Sequence, residues 1–139
     1  MENTNVLIEK ANQRHQQGYN CCQAVACAFS EILELDEDMV FRMAEGFGAG
    51  MGGMQGTCGA VAGAVILAGL KNSSGMENTK TKGRTYQLSK EIVDKFEQKN
   101  GSSICKELKG IETNQMLRSC SGCIEDAVVI ASKVIFGEE

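Results

Sequence analysis

Residues 58–70 read Cys58-Gly-Ala-Val-Ala-Gly-Ala-Val-Ile-Leu-Ala-Gly-Leu70. The run is apolar on every side, does not alternate and is too long for a single strand. That pattern predicts a buried helix from Cys58 to Leu70, with Thr57 as its N-cap. Its small residues, Gly59, Ala60, Ala62, Gly63, Ala64 and Ala68, leave room for neighbouring helices to come close. The apolar run Ala60–Leu70 is the longest in the chain, and Gly63 and Gly69 interrupt it. It falls short of the roughly 20 apolar residues that a membrane span needs. The expected fold is therefore all-α: one compact helical bundle over residues 1–139, around this central Gly/Ala-rich helix.

The flanking sequence fits. There is no proline, and helical spacing recurs on both sides. A first helix is expected over about Asn5–Gln17, with Val6, Leu7, Lys10 and Ala11 along one side and Gly18 ending it. Asn20 is a good N-cap for a second, carrying Cys21, Ala24, Val25, Ala28, Phe29 and Ile32. Asp36 can cap a third, with Met39, Val40 and Met43 turned inward. Residues 71–83 are polar and read as an exposed connection. A long amphipathic helix follows over about Arg84–Lys99. Ser102 or Ser103 opens a short one with Ile104, Cys105 and Leu108. After Cys120-Ser-Gly-Cys123 a last helix runs to about Phe136, with Ala127, Ile130, Ala131 and Val134 on its core side.

The bulk properties exclude some functions. A net charge of -4 and a pI near 5.1 argue against nucleic acid, which needs a surplus of basic side chains on one face. Met1-Glu2-Asn3-Thr4-Asn5 has neither a basic start nor an apolar stretch behind it, so it does not read as a signal peptide. A reducing cytoplasm is the expected location. Seven cysteines in such a compartment point to metal or redox chemistry rather than a disulfide scaffold.

Position says more than number. Cys21, Cys58, Cys105 and Cys123 each fall in the expected first turn of a helix. Unpaired N–H groups and the positive end of the helix dipole there favour thiolate over thiol. These four are the candidate metal ligands and, if the chemistry is thiol redox, the candidate catalytic residues. Cys22 and Cys27 read as packing residues, and His15 as an exposed helix residue. Cys120-x-x-Cys123 is the one local pair, yet the strand and cis-proline of a thioredoxin-like site are missing. The loop Gly46–Gly56 contains a G-x-G-x-x-G match, but a helix precedes it rather than a strand, so it is not read as a dinucleotide fingerprint. Gly50, Gly52, Gly53 and Gly56 are instead expected to bring backbone N–H groups close over the cysteine site.

One resemblance gathers these features. Cys58-Gly-Ala-Val-Ala-Gly63 is a C-G-A-x-x-G motif, with Gly18-Tyr-Asn-Cys21 upstream and Cys105 and a cysteine at the start of the last helix downstream. With its spacing and length, the chain resembles the C_GCAxxG_C_C family of redox-active proteins. The resemblance implies that the family's four cysteines are Cys21, Cys58, Cys105 and Cys123, with Cys22 an alternative to Cys21 and Cys120 to Cys123. Three readings follow. An iron–sulfur cluster held by the four thiolates for electron transfer ranks first, with zinc as the fallback metal. Thiol–disulfide exchange with an unidentified redox partner comes next. A structural oligomer with inert buried cysteines ranks last. The four thiols are expected to converge within one chain or across a homodimer interface.

Overall fold

The computed structural model describes residues 3–137 and is helical throughout apart from short connections. Its helices, in chain order, are α1 (Thr4–Gln16), α2 (Cys21–Ala28), α3 (Glu37–Glu45), the single distorted turn α4 (Gly48–Met51), α5 (Gly59–Asn72), α6 (Lys82–Asn100), α7 (Cys105–Lys109) and α8 (Cys120–Phe136). A 3-10 turn, Thr79–Thr81, leads into α6. The all-α expectation holds.

Helix α5 is the centre, packed against α2, α6 and α8. Its Gly59–Ala64 segment is buried without a break. The α2–α5 contact depends on glycine. A Cβ at Gly63 would lie 2.9 Å from the Cys22 carbonyl oxygen, and one at Gly59 would lie 3.2 Å from the Cys22 nitrogen. Around this contact the main core gathers Leu7 and Ala11 of α1, Ala24, Val25 and Ala28 of α2, Leu88, Ile92 and Phe96 of α6, Leu108 of α7, and Ile124, Ala127, Val128 and Ala131 of α8. Phe29, at the end of α2, stacks on Phe136 at the end of α8, ring centres 5.4 Å apart. No helix among the described residues is long and apolar enough to cross a membrane.

Several boundaries and faces differ from expectation. Helix α2 ends at Ala28, so Ile32 sits in the turn that follows. In α3 the buried residues are Val40 and Ala44, while Met39 and Met43 are exposed. Val40 and Ala44 are one helical turn apart and face α2. The methionines, one residue earlier in each case, are rotated by about 100° onto the solvent side. The N-cap of α5 is Cys58 itself, not Thr57. Helix α8 starts at Cys120, capped by the Ser119 hydroxyl accepting from the Gly122 N–H at 3.0 Å. The Cys120-x-x-Cys123 pair is thus the first turn of the helix rather than its approach.

Candidate redox site

Asn20 builds the first wall of the site. Its side-chain oxygen accepts from the Gln23 N–H at 2.9 Å, and the Gln23 side chain accepts from the Asn20 N–H at 2.8 Å. This capping box fixes Cys21 as the first residue of α2. A one-residue antiparallel bridge between Thr57 and Ile104 builds the second wall. The Cys58 N–H donates to the Ser103 carbonyl at 2.7 Å, and the Cys105 N–H donates to the Gly56 carbonyl at 3.0 Å. The starts of α5 and α7 are thereby held side by side. The cap at Ser119 supplies the third wall, placing Cys120 and Cys123 on one turn of α8.

These walls enclose one pocket of about 240 Å³, and five cysteines line it: Cys21, Cys58, Cys105, Cys120 and Cys123. The four expected cysteines come together within one chain, and Cys120 joins them. Cys58, Cys105 and Cys123 are buried, and Cys21 and Cys120 half-buried. No disulfide joins any of the seven cysteines. Cys22 and Cys27 lie elsewhere. Cys22 packs with Ala44 and Ala62, and Cys27 with Ala26 and Val40.

The thiols are not equivalent. Cys123 and the first amides of α5, those of Ala60 and Val61, all favour the thiolate form of Cys58. Together with the Lys109 charge they outweigh burial and bring Cys58 down to about 7. The same interaction pushes Cys123 far up, because it then keeps its hydrogen beside the negative charge on Cys58. Burial, followed by the neighbouring Cys120 and Cys58 sulfurs, pushes Cys21 up to about 12. Burial also raises Cys105. The expectation that every helix start would favour its thiolate therefore holds only at Cys58. At Cys21 and Cys105 desolvation and neighbouring sulfurs win, while at Cys123 the interaction with Cys58 leads.

The glycine loop divides in two. Gly50, with φ +55°, is pressed against α7, and a Cβ there would lie 2.5 Å from the Cys105 Cβ. Gly56 supplies the carbonyl that holds the Cys105 N–H. Gly52 faces open space, Gly53 meets only the Gln55 side chain at 4.0 Å, and neither lines the pocket. The loop thus braces Cys105 through Gly50 and Gly56, and its Ala49 lines the pocket.

Three basic side chains that line the pocket were not singled out as site residues from the sequence: His15, Lys109 and Arg118. Read alone, His15 is an exposed helix residue; the structure half-buries it. The signal was present, since Leu7, Ala11 and His15 are spaced four apart and the first two are the buried residues of α1. Lys109 likewise lies one helical turn after Cys105. Arg118 gave no such signal.

Five soft sulfur donors suit iron–sulfur or zinc chemistry in kind. Among the described residues no group of three or more His, Cys, Asp and Glu side chains is drawn together as metal ligands would be. No curated protein and no solved structure matches the chain. Residues 19–134, a span that contains all five pocket cysteines, match the family model described as "Putative redox-active protein (C_GCAxxG_C_C)". By that match the chain belongs to the C_GCAxxG_C_C family of redox-active proteins.

Proposed function

We propose that this protein is a dithiol–disulfide exchange protein in which Cys58 attacks and Cys123 resolves. The observation that carries this reading is that Cys58, at the N-cap of α5, and Cys123, in the first turn of α8, line one pocket and share one core cluster, with Cys123 favouring the Cys58 thiolate. The Cys58 thiolate attacks one sulfur of a substrate disulfide R–S–S–R. The S–S bond breaks, and one RS⁻ leaves and takes up a proton. Cys123 then loses its proton to solvent and attacks the Cys58 sulfur of the mixed disulfide, and the second RS⁻ leaves and is protonated. Two thiols of the protein become one disulfide, R–S–S–R becomes two RSH, and two electrons pass to the substrate. Exchange calls for an attacking thiol with a lowered pKa and a second thiol within reach to resolve the mixed disulfide.

A second reading keeps an iron–sulfur cluster, or zinc, and is favoured by the convergence of five sulfurs on one pocket. One preparation separates the two. Protein purified without oxygen is assayed for iron and acid-labile sulfide, then oxidised stoichiometrically and mapped by peptide mass. A Cys58–Cys123 disulfide in colourless protein with negligible iron supports exchange. Stoichiometric iron with sulfide, a melting temperature raised by reconstitution, and loss of that rise in Cys58→Ser but not in Cys27→Ser would establish the cluster instead.

A further inference from the structure

The chain carries a net charge of -4, yet the side chains lining the cysteine pocket include His15, Lys109 and Arg118 and no carboxylate. Lys109 is near enough to Cys21, Cys58 and Cys105 to favour the thiolate of each. Arg118 is tied to Asp126 at 3.0 and 3.2 Å. That carboxylate also takes Lys99, and Glu125 acts on Arg118 as well, so the positive charge of the pocket rests chiefly on Lys109. Helices α2, α5 and α8 all begin at this pocket, adding the positive ends of their dipoles. A single basic residue near a cysteine would be explained by thiolate stabilisation alone. Two cationic side chains and three helix starts exceed what one thiolate needs, and they are gathered on the concavity that reaches the reactive sulfur.

Resting on the exchange reading above, we propose that the pocket's substrate is a small disulfide that carries carboxylates close to its S–S bond. At about 240 Å³ the pocket is below the roughly 300–1,000 Å³ of sites that take drug-sized ligands, which selects a small molecule. The carboxylates are held by Lys109 and Arg118 and do not react. They direct the S–S bond to Cys58, whose thiolate displaces one carboxylate-bearing thiolate. Cys123 displaces the second, so that one R–S–S–R and two protein thiols give two RSH and the Cys58–Cys123 disulfide.

The test uses the full reduced chain without oxygen and three small disulfides of similar size: dithiodiglycolate (anionic), hydroxyethyl disulfide (neutral) and cystamine (cationic). Each rate is divided by the rate of the same disulfide with free mercaptoethanol, which removes intrinsic reactivity. Dithiodiglycolate should exceed hydroxyethyl disulfide by about tenfold at low salt, a typical gain from a charged cleft, with cystamine slowest. The preference should shrink as salt screens it, and Lys109→Gln should bring the anionic-to-neutral ratio toward one. An anionic-to-neutral ratio of one or less at low salt, or cystamine as the fastest, overturns the substrate class and leaves the exchange reading standing. Failure of all three to oxidise Cys58 overturns the exchange reading and this inference with it.

Discussion

Cysteine at a helix N-cap occupies the place where Ser, Thr, Asp or Asn would accept hydrogen bonds from the first free amides. Sulfur is a weak acceptor as a thiol and a strong one as a thiolate, so at Cys58 the uncapped start of α5 becomes a reason to ionise. This predicts a pH profile. Alkylation of Cys58 by iodoacetamide, followed by peptide mass, should rise with pH about a midpoint near 7, whereas a free thiol has a pKa of roughly 8.5. Cys21 and Cys22, each pushed up to about 12 mainly by burial, should stay nearly unlabelled at neutral pH. Cys123→Ala removes the largest stabiliser of the thiolate and should move the Cys58 midpoint upward. Cys123→Ser retains an O–H donor and should move it less. A wild-type midpoint at the free-thiol value would show that Cys123 does not act as described.

At the scale of the element, α5 carries glycines with opposite roles. Replacing a helical glycine by alanine gains up to about 1 kcal/mol in backbone entropy. At Gly63 the added Cβ meets the Cys22 carbonyl oxygen at 2.9 Å and the Val25 Cβ at 3.0 Å. Overpacking of that kind costs about 1–3 kcal/mol, so the clash outweighs the entropy. At Gly69 nothing lies within 4 Å, so only the gain remains. Gly63→Ala should therefore lower the melting temperature and Gly69→Ala raise it, both read by thermal unfolding of the reduced protein. Equal stabilisation by both would mean that α2 and α5 do not approach as closely as described. Because Cys21 and Cys58 stand at the starts of these two helices, Gly63→Ala should also slow exchange at Cys58.

Across the whole molecule, two carboxylates join distant segments. Burial alone would raise the Asp126 carboxyl, but the bonds from Lys99, Arg118 and Asn100 outweigh it and hold the group below its ordinary value. Glu37 is lowered first by the paired bond from Arg14, at 2.9 and 3.0 Å, and further by the Tyr19 hydroxyl at 2.6 Å. For a group whose folded pKa is depressed, the stabilisation is fully present above the unfolded pKa and is lost as pH falls through the folded one. The unfolded references here are 3.8 for Asp126 and 4.5 for Glu37. Urea midpoints should thus be steady near neutrality on this account and fall as the solution is taken below about pH 5. Asp126→Asn should cost about 1–3 kcal/mol at neutral pH, since Asp126 is buried and its partners are left unpaired. Asp126→Asn and Glu37→Gln should each flatten the acid limb. An acid limb unchanged in both variants would place the proton uptake elsewhere.

The sequence by itself determined what depends on local periodicity and local chemistry. The all-α class, the central apolar helix, the Asn20 cap before Cys21 and the packing roles of Cys22 and Cys27 follow from spacing of 3.6 residues and from capping residues. Placement of the four candidate cysteines at or near helix starts was legible for the same reason. Tertiary structure decided what depends on distances between segments far apart in the chain. The meeting of Cys58 and Cys123 in one pocket, the inclusion of Cys120, and the arrival of His15, Lys109 and Arg118 there all require α1, α2, α5, α7 and α8 to be in place. It also decided which thiol ionises most readily. A helix start favours the thiolate at every site, but burial and neighbouring sulfurs oppose it, and only the folded arrangement sets that balance, in favour of Cys58 and against Cys21, Cys105 and Cys123.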